Sequence, residues 1–216
     1  MAGQLALALG LAYVAGSFPT AWLVGRARGI DLRTAGSGNY GATNVYRTLG
    51  AVPAIVALVG DVAKGLLPVL LLPRWIPVPE LELPTYGVLL ALAAIVGHVF
   101  SLFLRFRGGK GVGTTFGAYL ALAPWATLAA ALVWLALVRW RRLVSLASLA
   151  AASVLLVAVV VSQATTWPEG WPLVAATGAL VAFVFWTHRE NLSRLRRGTE
   201  QPIVAGGGER QLGGRG

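Results

Sequence analysis

The chain has 216 residues, of which 56% are hydrophobic and only 12% are charged, and its formal net charge is +10. A soluble domain carries about 25% charged residues, so the composition excludes an ordinary water-soluble domain and predicts a membrane protein in contact with lipid. The basic residues lie between apolar runs, where they orient a membrane protein, which argues against a nucleic-acid partner. With no cysteine and two histidines, no disulfide, cysteine nucleophile, metal site or cofactor is expected.

The apolar runs predict an all-α fold, a polytopic bundle of membrane-spanning helices. A helix needs about 20 residues to cross a bilayer, and several runs have that length. The first run lacks a basic start, so we expect a span there rather than a cleaved leader. Residues 1–204 are predicted to form one membrane-embedded domain, and residues 205–216 a disordered cytosolic tail. The clear spans are Leu5–Val24, Val52–Leu72, Tyr86–Leu104, Leu143–Ser162 and Trp171–Trp186.

The region Val112–Val138 decides the topology, because Pro124 lies near its middle and the region is either one kinked helix or two shorter ones. With one helix, the basic clusters Arg139–Arg142 and Arg189–Arg197 fall outside the cell, against the preference of basic residues for the cytosolic side. With a turn back at Pro124, both clusters are cytosolic. We therefore predict seven membrane segments, with the N-terminus outside and the C-terminus cytosolic, and six segments as the alternative.

A first polar motif follows the first span and holds three glycines, two asparagines, a serine and an arginine within the twelve positions from Gly36. Glycine lets backbone N–H groups approach an anion closely, and the planar guanidinium of Arg47 matches phosphate or carboxylate. The motif therefore indicates an anion site, with a turn and a helix start as the alternative. Its polar side chains are those of Ser37, Asn39, Asn44 and Arg47.

A second polar motif, Arg107-Gly108-Gly109-Lys110-Gly111, joins one apolar segment to the next. Its ingredients are those of a P-loop, but the spacing differs from a Walker A motif and no strand precedes it, which disfavours ATP. Backbone N–H groups before a helix N-terminus still favour an anion. The alternative is a tight basic turn at the membrane surface.

A third polar motif, Thr187–Glu200, follows the last span. His188 and Asn191 are three residues apart, so a helix would place them on one face. Glu200 is expected to pair with one of the nearby arginines. The alternative is an arginine-rich tail that stops transfer through the membrane.

Two further polar pairs lie within apolar segments. Asp61 and Lys64 are expected to pair with each other, because an unpaired charge inside a membrane is costly. Ser145 and Ser148 lie one turn apart after the basic cluster, where they indicate a possible anion pocket or a close helix contact.

Together, the motifs resemble the three signature motifs of the bacterial acyl-phosphate:glycerol-3-phosphate acyltransferases. The resemblance extends from about residue 16 to residue 200, and the Gly60-Asp61-x-x-Lys64-Gly65 element also resembles the family. The matching motifs are Ser37-Gly38-Asn39-x-Gly41-Ala42-x-Asn44-x-x-Arg47, Gly97-His98-x-Phe100-x-x-Phe103 with Arg107-Gly108-Gly109-Lys110-Gly111, and His188-x-x-Asn191-x-x-Arg194-Leu195-x-x-Gly198-x-Glu200.

The resemblance implies a seven-segment enzyme of the bacterial cytoplasmic (inner) membrane with its active site facing the cytosol. It implies transfer of a fatty acyl group from acyl phosphate to the 1-hydroxyl of sn-glycerol 3-phosphate, which gives lysophosphatidic acid and phosphate in phospholipid synthesis. An enzyme that makes acyl phosphate is then a possible hand-over partner. The implied catalytic set is Ser37, Arg47, Lys110, His188 and Asn191.

We assign the binding of glycerol 3-phosphate to that same set of five residues. The His-x4-Asp pair of other glycerol phosphate acyltransferases is absent, because Phe103 and Ser193 stand at the aspartate positions. Acyl phosphate is already activated, so we expect direct transfer without an acyl-enzyme, the proton passing to His188 or to a substrate phosphate. We assign acyl phosphate to Arg107, Gly108, Gly109, Gly111, Asn39 and Asn44.

Two other functions compete with this assignment. Basic motifs and an intramembrane charge pair would suit a transporter for a phosphorylated solute, but inverted repeats are not evident in the sequence. A scaffold that binds anionic lipid through a basic face would leave the ordered serine, asparagine and histidine positions unexplained.

Overall fold

The computed structural model describes residues 2–166 and 168–204, and these fold into ten α-helices without a strand. The predicted all-α fold is confirmed, and the predicted tail, residues 205–216, lies outside the described residues. Short 3₁₀ turns follow α5 and α8 at Leu102–Leu104 and Ala164–Thr166. The helices are α1 (Ala2–Ser17), α2 (Thr20–Ala27), α3 (Ala42–Leu49), α4 (Ala51–Trp75), α5 (Leu83–Val99), α6 (Val112–Leu122), α7 (Pro124–Arg141), α8 (Val144–Gln163), α9 (Trp171–Thr187) and α10 (Arg189–Arg196).

Within the part of the chain that the structure describes, four helical stretches are long and apolar enough to cross a membrane: α1 with α2, α4, α5 with its 3₁₀ turn, and α8. The pair α9 and α10 would add a fifth span, although the chain bends by 63° between them. The apolar helix α6 is shorter than a full span. The fold is thus a membrane helix bundle, while the number of seven segments and their orientation stay predictions.

The region with Pro124 is two helices, as one of the two sequence interpretations held. Ala123 separates α6 from α7 with φ −147° and ψ 69°, outside the helical range. A residue before proline avoids the helical conformation, and proline fits the first turn of a helix, where its missing N–H is not needed. The alternative of one helix through this region is therefore wrong.

Glycines let the central helices approach each other closely. A Cβ atom at Gly65 or Gly117 would collide with a backbone carbonyl oxygen across the contact between α4 and α6. The same holds for Gly16 and Gly97 across the contact between α1 and α5. The hydrophobic effect does not drive helices together in lipid, because the lipid tails are as apolar as the side chains. Membrane helices therefore associate through close packing at such small residues. These contacts fix α4 against α6 and α1 against α5, and the second motif connects α5 to α6.

We expect Gly117→Val to lower the thermal midpoint of the detergent-solubilised protein by several degrees, because overpacking a close contact costs about 1–3 kcal/mol. The matched control is Gly178→Val in α9, where an added Cβ atom meets nothing within 4 Å. Thermal unfolding followed by intrinsic tryptophan fluorescence measures both. Equal midpoints for the two variants would contradict the role of Gly117.

Candidate active site

The first motif forms the loop before α3, and the buried side chain of Asn44 holds that loop together. Its amide nitrogen donates to the carbonyl oxygens of Leu32 (3.2 Å) and Ala35 (3.0 Å), and its oxygen accepts from the backbone N–H of Ser37 (2.7 Å). Both N–H groups of Asn44 are therefore used inside the protein. Asn44 therefore anchors the loop, and its assignment to acyl phosphate stays a prediction.

The other polar residues of the first motif remain accessible. Ser37 lies exposed between two glycines with positive φ, Gly36 (60°) and Gly38 (70°), and Asn39 is half-buried. Arg47, on α3, donates to the carbonyl oxygen of Gln201 over 3.0 Å. This hydrogen bond brings the first motif to the segment that follows the third.

The second motif folds back onto the end of α5. The backbone N–H of Gly108 donates to the carbonyl oxygen of Val99 (2.9 Å), and that of Gly109 to the carbonyl oxygen of His98 (3.3 Å). A Cβ atom at either glycine would collide with His98. Two of the N–H groups assigned to acyl phosphate are thus committed to α5, and both glycines are needed for close packing.

The end of the second motif leads into the N-terminus of α6. Gly111 precedes α6 with φ 83°, and no side chain caps the helix there. The first N–H groups of a helix have no partner within the helix, so those of α6 are oriented toward the loop. Arg107 is exposed, whereas Lys110 is half-buried. A Cβ atom at Gly109 would lie 3.1 Å from the carbonyl oxygen of Tyr40, so the first and second motifs also touch.

The third motif joins the second through Asn191. The ammonium group of Lys110 contacts the side-chain oxygen of Asn191, and the hydroxyl of Thr187 lies 3.4 Å from the carbonyl oxygen of Lys110. His188 and Asn191 are both buried, at 3% and 7% exposure, in the bend between α9 and α10. Arg47 and His188 lie close enough to Lys110 for their charges to act on each other, so Arg47, Lys110, His188 and Asn191 form one polar cluster, and their roles in binding and catalysis stay predictions.

The tautomer of His188 follows from its surroundings. Its Nδ1 lies 2.9 Å from the carbonyl oxygen of Val184, which can only accept a hydrogen bond. Nδ1 therefore carries the proton, and Nε2 is the nitrogen with a free lone pair.

Glu200 organises the cluster, a role the sequence did not assign to it. Its Oε1 accepts from Ser145 and from the amide of Asn191, each over 2.6 Å, and its Oε2 accepts from Arg194 over 2.7 Å. Burial alone would raise the pKa of Glu200, but these hydrogen bonds hold it below the ordinary value. The expected pairing with an arginine is confirmed. In the sequence, the feature that pointed to Glu200 was its place as the last residue of the third motif.

The serine pair divides between two environments. Ser145 joins the polar cluster through Glu200, whereas Ser148 accepts a hydrogen bond from the indole N–H of Trp134 over 3.2 Å. Ser145 thus contacts the polar cluster and Ser148 lines an apolar groove, and a common anion pocket of the two serines stays a prediction.

The electrostatics of the cluster favour an anion. The pKa of Lys110 is lowered from 10.5 to about 8, mainly by burial and in part by the positive charges of Arg194 and Arg47. The charges of Glu200 and Glu190 act in the opposite direction but do not offset these effects. A desolvated cation beside other cations is stabilised by a bound anion, so the surroundings of Lys110 favour an anion beside it.

An apolar groove begins next to this cluster. Its volume is about 280 Å³, and residues of α4, α6, α7, α8 and α9 line it. Val112 and Gly113, in the first turn of α6, line the groove and follow Lys110 directly after Gly111 in the sequence. The arrangement joins an anion site to a space suited to a hydrocarbon chain. The groove is lined by Leu58, Val62, Val112, Gly113, Thr115, Phe116, Tyr119, Thr127, Ala130, Ala131, Trp134, Leu135, Ser148, Ala151, Ala152, Leu155 and Val184.

Comparison with known proteins gives concordant matches. The family model described as glycerol-3-phosphate acyltransferase matches residues 6–198. The glycerol-3-phosphate acyltransferase of Geotalea daltonii is 44% identical over 203 residues, which cover 93% of this chain and 97% of the relative. The glycerol-3-phosphate acyltransferase 2 of Moorella thermoacetica is 46% identical over 198 residues, or 91% and 96% of the two chains.

Solved structures agree with the sequence relatives. The crystal structure of PlsY, an integral membrane glycerol 3-phosphate acyltransferase, in its glycerol 3-phosphate form superposes with a TM-score of 0.82 at 32% identity, covering 93% of this chain and 96% of that one. Its lysophosphatidic acid form gives 0.80 at 31% identity, covering 92% and 94%. The chain therefore belongs to the glycerol-3-phosphate acyltransferase family and is a membrane enzyme.

Proposed function

We propose that this enzyme transfers a fatty acyl group from acyl phosphate to the 1-hydroxyl of sn-glycerol 3-phosphate, which yields lysophosphatidic acid and inorganic phosphate. Acylation of glycerol 3-phosphate follows from the family, and the related structure exists in a glycerol 3-phosphate form and a lysophosphatidic acid form. The observation that carries the proposal is that half-buried Lys110 stands two residues before Val112, which lines an apolar groove. Such a site fits a reaction between a phosphorylated polyol and an acyl chain.

Glycerol 3-phosphate binds in the cluster of Arg47, Lys110, His188 and Asn191 in this proposal. Arg47 and Lys110 supply the charge for its phosphate, and the guanidinium group can form two parallel hydrogen bonds to one phosphate. Asn191 orients the ammonium group of Lys110, because its oxygen contacts that group while its nitrogen is held by Glu200. Ser37 lies on the exposed first loop and adds a hydroxyl to the rim of the site.

Acyl phosphate binds with its phosphate at the N-terminus of α6 and its chain in the groove. The N–H groups of the first turn of α6 attract an anion, and Val112 and Gly113 of that turn line the groove. Gly111 and Asn39 keep their assigned roles here, and Arg107 adds positive charge at the exposed side. Phosphate and chain of one molecule then occupy adjoining sites.

The transfer is direct in this proposal. The 1-hydroxyl oxygen of glycerol 3-phosphate attacks the carbonyl carbon of acyl phosphate, and the bond from that carbon to the bridging phosphate oxygen breaks. Phosphate leaves with the bonding electron pair, and the hydroxyl proton passes to the phosphate of glycerol 3-phosphate, whose second pKa is near 6. His188 is the poorer acceptor, because it is buried beside cationic Lys110. N–H groups at α6 stabilise the developing oxyanion.

The proposed location is the bacterial inner membrane, with the cluster facing the cytosol. Glycerol 3-phosphate is water-soluble and reaches such a site from that side, whereas the chain of acyl phosphate enters from the bilayer. A soluble or peripheral enzyme that makes acyl phosphate would be the natural supplier of the donor.

We expect purified enzyme to release phosphate from acyl phosphate only when glycerol 3-phosphate is also present, and to form lysophosphatidic acid in equal amount. Acyl-coenzyme A and acyl-carrier protein serve as competing donors, and mass spectrometry of the lipid product with a phosphate assay measures the outcome. Turnover with either of these thioesters but not with acyl phosphate would contradict the proposed donor. Phosphate binding without any acylated product would favour a transporter or a scaffold.

The pKa of Lys110 predicts an alkaline limit for binding of glycerol 3-phosphate. Lys110 binds phosphate only when protonated, so kcat/KM for glycerol 3-phosphate should fall as pH rises above about 8. An ordinary lysine would keep its charge to about pH 10, and the substrate phosphate is already dianionic above pH 7. Initial rates at saturating acyl phosphate between pH 7 and about pH 9.5 test this.

The matched variant for that profile is Lys110→Arg, whose side chain stays charged throughout the range. Its rate will be lower because the contact with Asn191 changes, but its residual kcat/KM should not decline above pH 8. A wild-type profile that stays flat beyond pH 9 would contradict the assignment of Lys110.

Two variants test the direct mechanism. His188→Gln should retain measurable turnover with a raised KM for glycerol 3-phosphate, because the substrate phosphate takes the proton and the amide can replace one hydrogen bond. Ser37→Ala should also retain turnover, with kcat/KM lowered by about tenfold for one lost hydrogen bond to an ionised group. Steady-state kinetics and intact-protein mass spectrometry measure these effects. Abolished turnover in folded His188→Gln, or an acyl adduct on Ser37, would contradict direct transfer.

A further inference from the structure

A cluster of buried charged and polar side chains lies directly beneath the second motif. Lys64 Nζ is 2.8 Å from Asp61 Oδ1, so these two residues of α4 form the ion pair that the sequence predicted. The hydroxyl of Thr20 donates to the same carboxylate over 2.6 Å. Lys64 also donates to the carbonyl oxygen of Phe18 over 2.9 Å. Buried ion pairs rarely add stability compared with apolar packing, so their presence in an apolar bundle calls for another reason.

His98, at the end of α5, connects this cluster to α6. Its Nδ1 lies 3.6 Å from Asp61 Oδ1 and 3.0 Å from the hydroxyl of Thr114, which is the third residue of α6. Both His98 and Thr114 are almost completely buried, at 4% and 0% exposure. One nitrogen of the imidazole ring thus faces both the carboxylate of Asp61 and the first turn of α6.

His98 also supports the loop before α6. Its carbonyl oxygen accepts the N–H of Gly109, and the next carbonyl, of Val99, accepts the N–H of Gly108. The face of Gly109 packs against the imidazole ring so closely that a Cβ atom there would collide with Nε2. One residue therefore holds both the glycine loop and the first turn of the helix that the loop enters.

We infer that Asp61, His98 and Thr114 form a positioning chain that fixes the glycine loop and the first turn of α6 in the geometry that binds the phosphate of acyl phosphate. The inference rests on the proposed donor and its place at α6. Thr20 and Lys64 complete the chain, because they occupy the carboxylate of Asp61 and hold it in one orientation.

The positioning chain acts on the site of acyl phosphate and not on the site of glycerol 3-phosphate. Lys110 has separate support from the third motif, through Asn191 and Thr187. Among the described residues, no hydrogen bond joins the side chains of Asp61, His98 or Thr114 to those of Arg47, Asn191 or Glu200. Loosening the positioning chain should therefore displace the backbone N–H groups in the first turn of α6, while the cluster that binds glycerol 3-phosphate keeps its geometry.

Kinetics of Thr114→Val and His98→Leu test the inference. Both should raise KM for acyl phosphate on the order of tenfold while KM for glycerol 3-phosphate stays within about twofold, since displacements of about 1 Å are enough to cost such factors. Thr114→Val removes one hydroxyl at constant shape and remains informative if His98→Leu fails to fold. His98→Asn should restore much of the loss, because its amide reaches the position of Nδ1.

The matched control is Tyr86→Phe at the opposite end of α5. The buried Tyr86 donates its hydroxyl to the carbonyl oxygen of Ile76 over 2.9 Å, so this variant also loses one buried hydrogen bond. It should lower the thermal midpoint and leave both KM values unchanged.

The outcomes separate the inference from the proposed function. If the wild-type enzyme does not use acyl phosphate, the proposed donor is wrong and the inference falls with it. If the wild type uses acyl phosphate, three results overturn the inference alone: unchanged KM values in folded Thr114→Val, equal increases in both KM values, or a change confined to the thermal midpoint.

Discussion

The polar cluster depends on the side-chain amide of one residue, which stands between two opposite charges. Asn191 presents its oxygen to the ammonium group of Lys110 and its nitrogen to the carboxylate of Glu200. A direct ion pair between Lys110 and Glu200 would satisfy both charges and leave nothing for a substrate. The intervening amide accepts one hydrogen bond from Lys110 and donates one to Glu200, so the two charged groups do not contact each other directly. Arg194 and Ser145 then take up the remaining capacity of Glu200.

The glycines of this chain serve two purposes that look alike in the sequence. Gly65 and Gly117 bring helices together, whereas Gly108 and Gly109 bring a loop onto the end of α5. Gly111, with its positive φ, stands instead at the start of α6, where the first backbone N–H groups have no partner within the helix. A glycine-rich basic loop therefore predicts a close backbone approach, and the structure decides whether its neighbour is an anion or another part of the chain.

Local patterns predicted the helices, because length and apolarity act within a few residues, whereas the break at Pro124 was predicted from the basic clusters that follow it. The proximity of Arg47, Lys110, His188 and Asn191 was also accessible, since these four residues stand in three distinct polar motifs. The roles of Asn44 and Glu200 were not. Asn44 is polar for reasons internal to its loop, and the partners of Glu200 lie between 6 and 55 residues away in the chain. Hydrogen bonds over such separations leave no periodic signal.

The position of Lys110 addresses a difficulty inherent in the proposed reaction. Two phosphate groups have to approach closely enough for a hydroxyl of one substrate to reach the carbonyl of the other, and their charges repel each other. Screening by water is weak in a half-buried site, so a fixed positive charge between them is required. Lys110 lies one residue before Gly111 and contacts the third motif through Asn191. It is therefore placed between the N-terminus of α6 and the acceptor cluster, where one ammonium group can reduce the repulsion for both substrates.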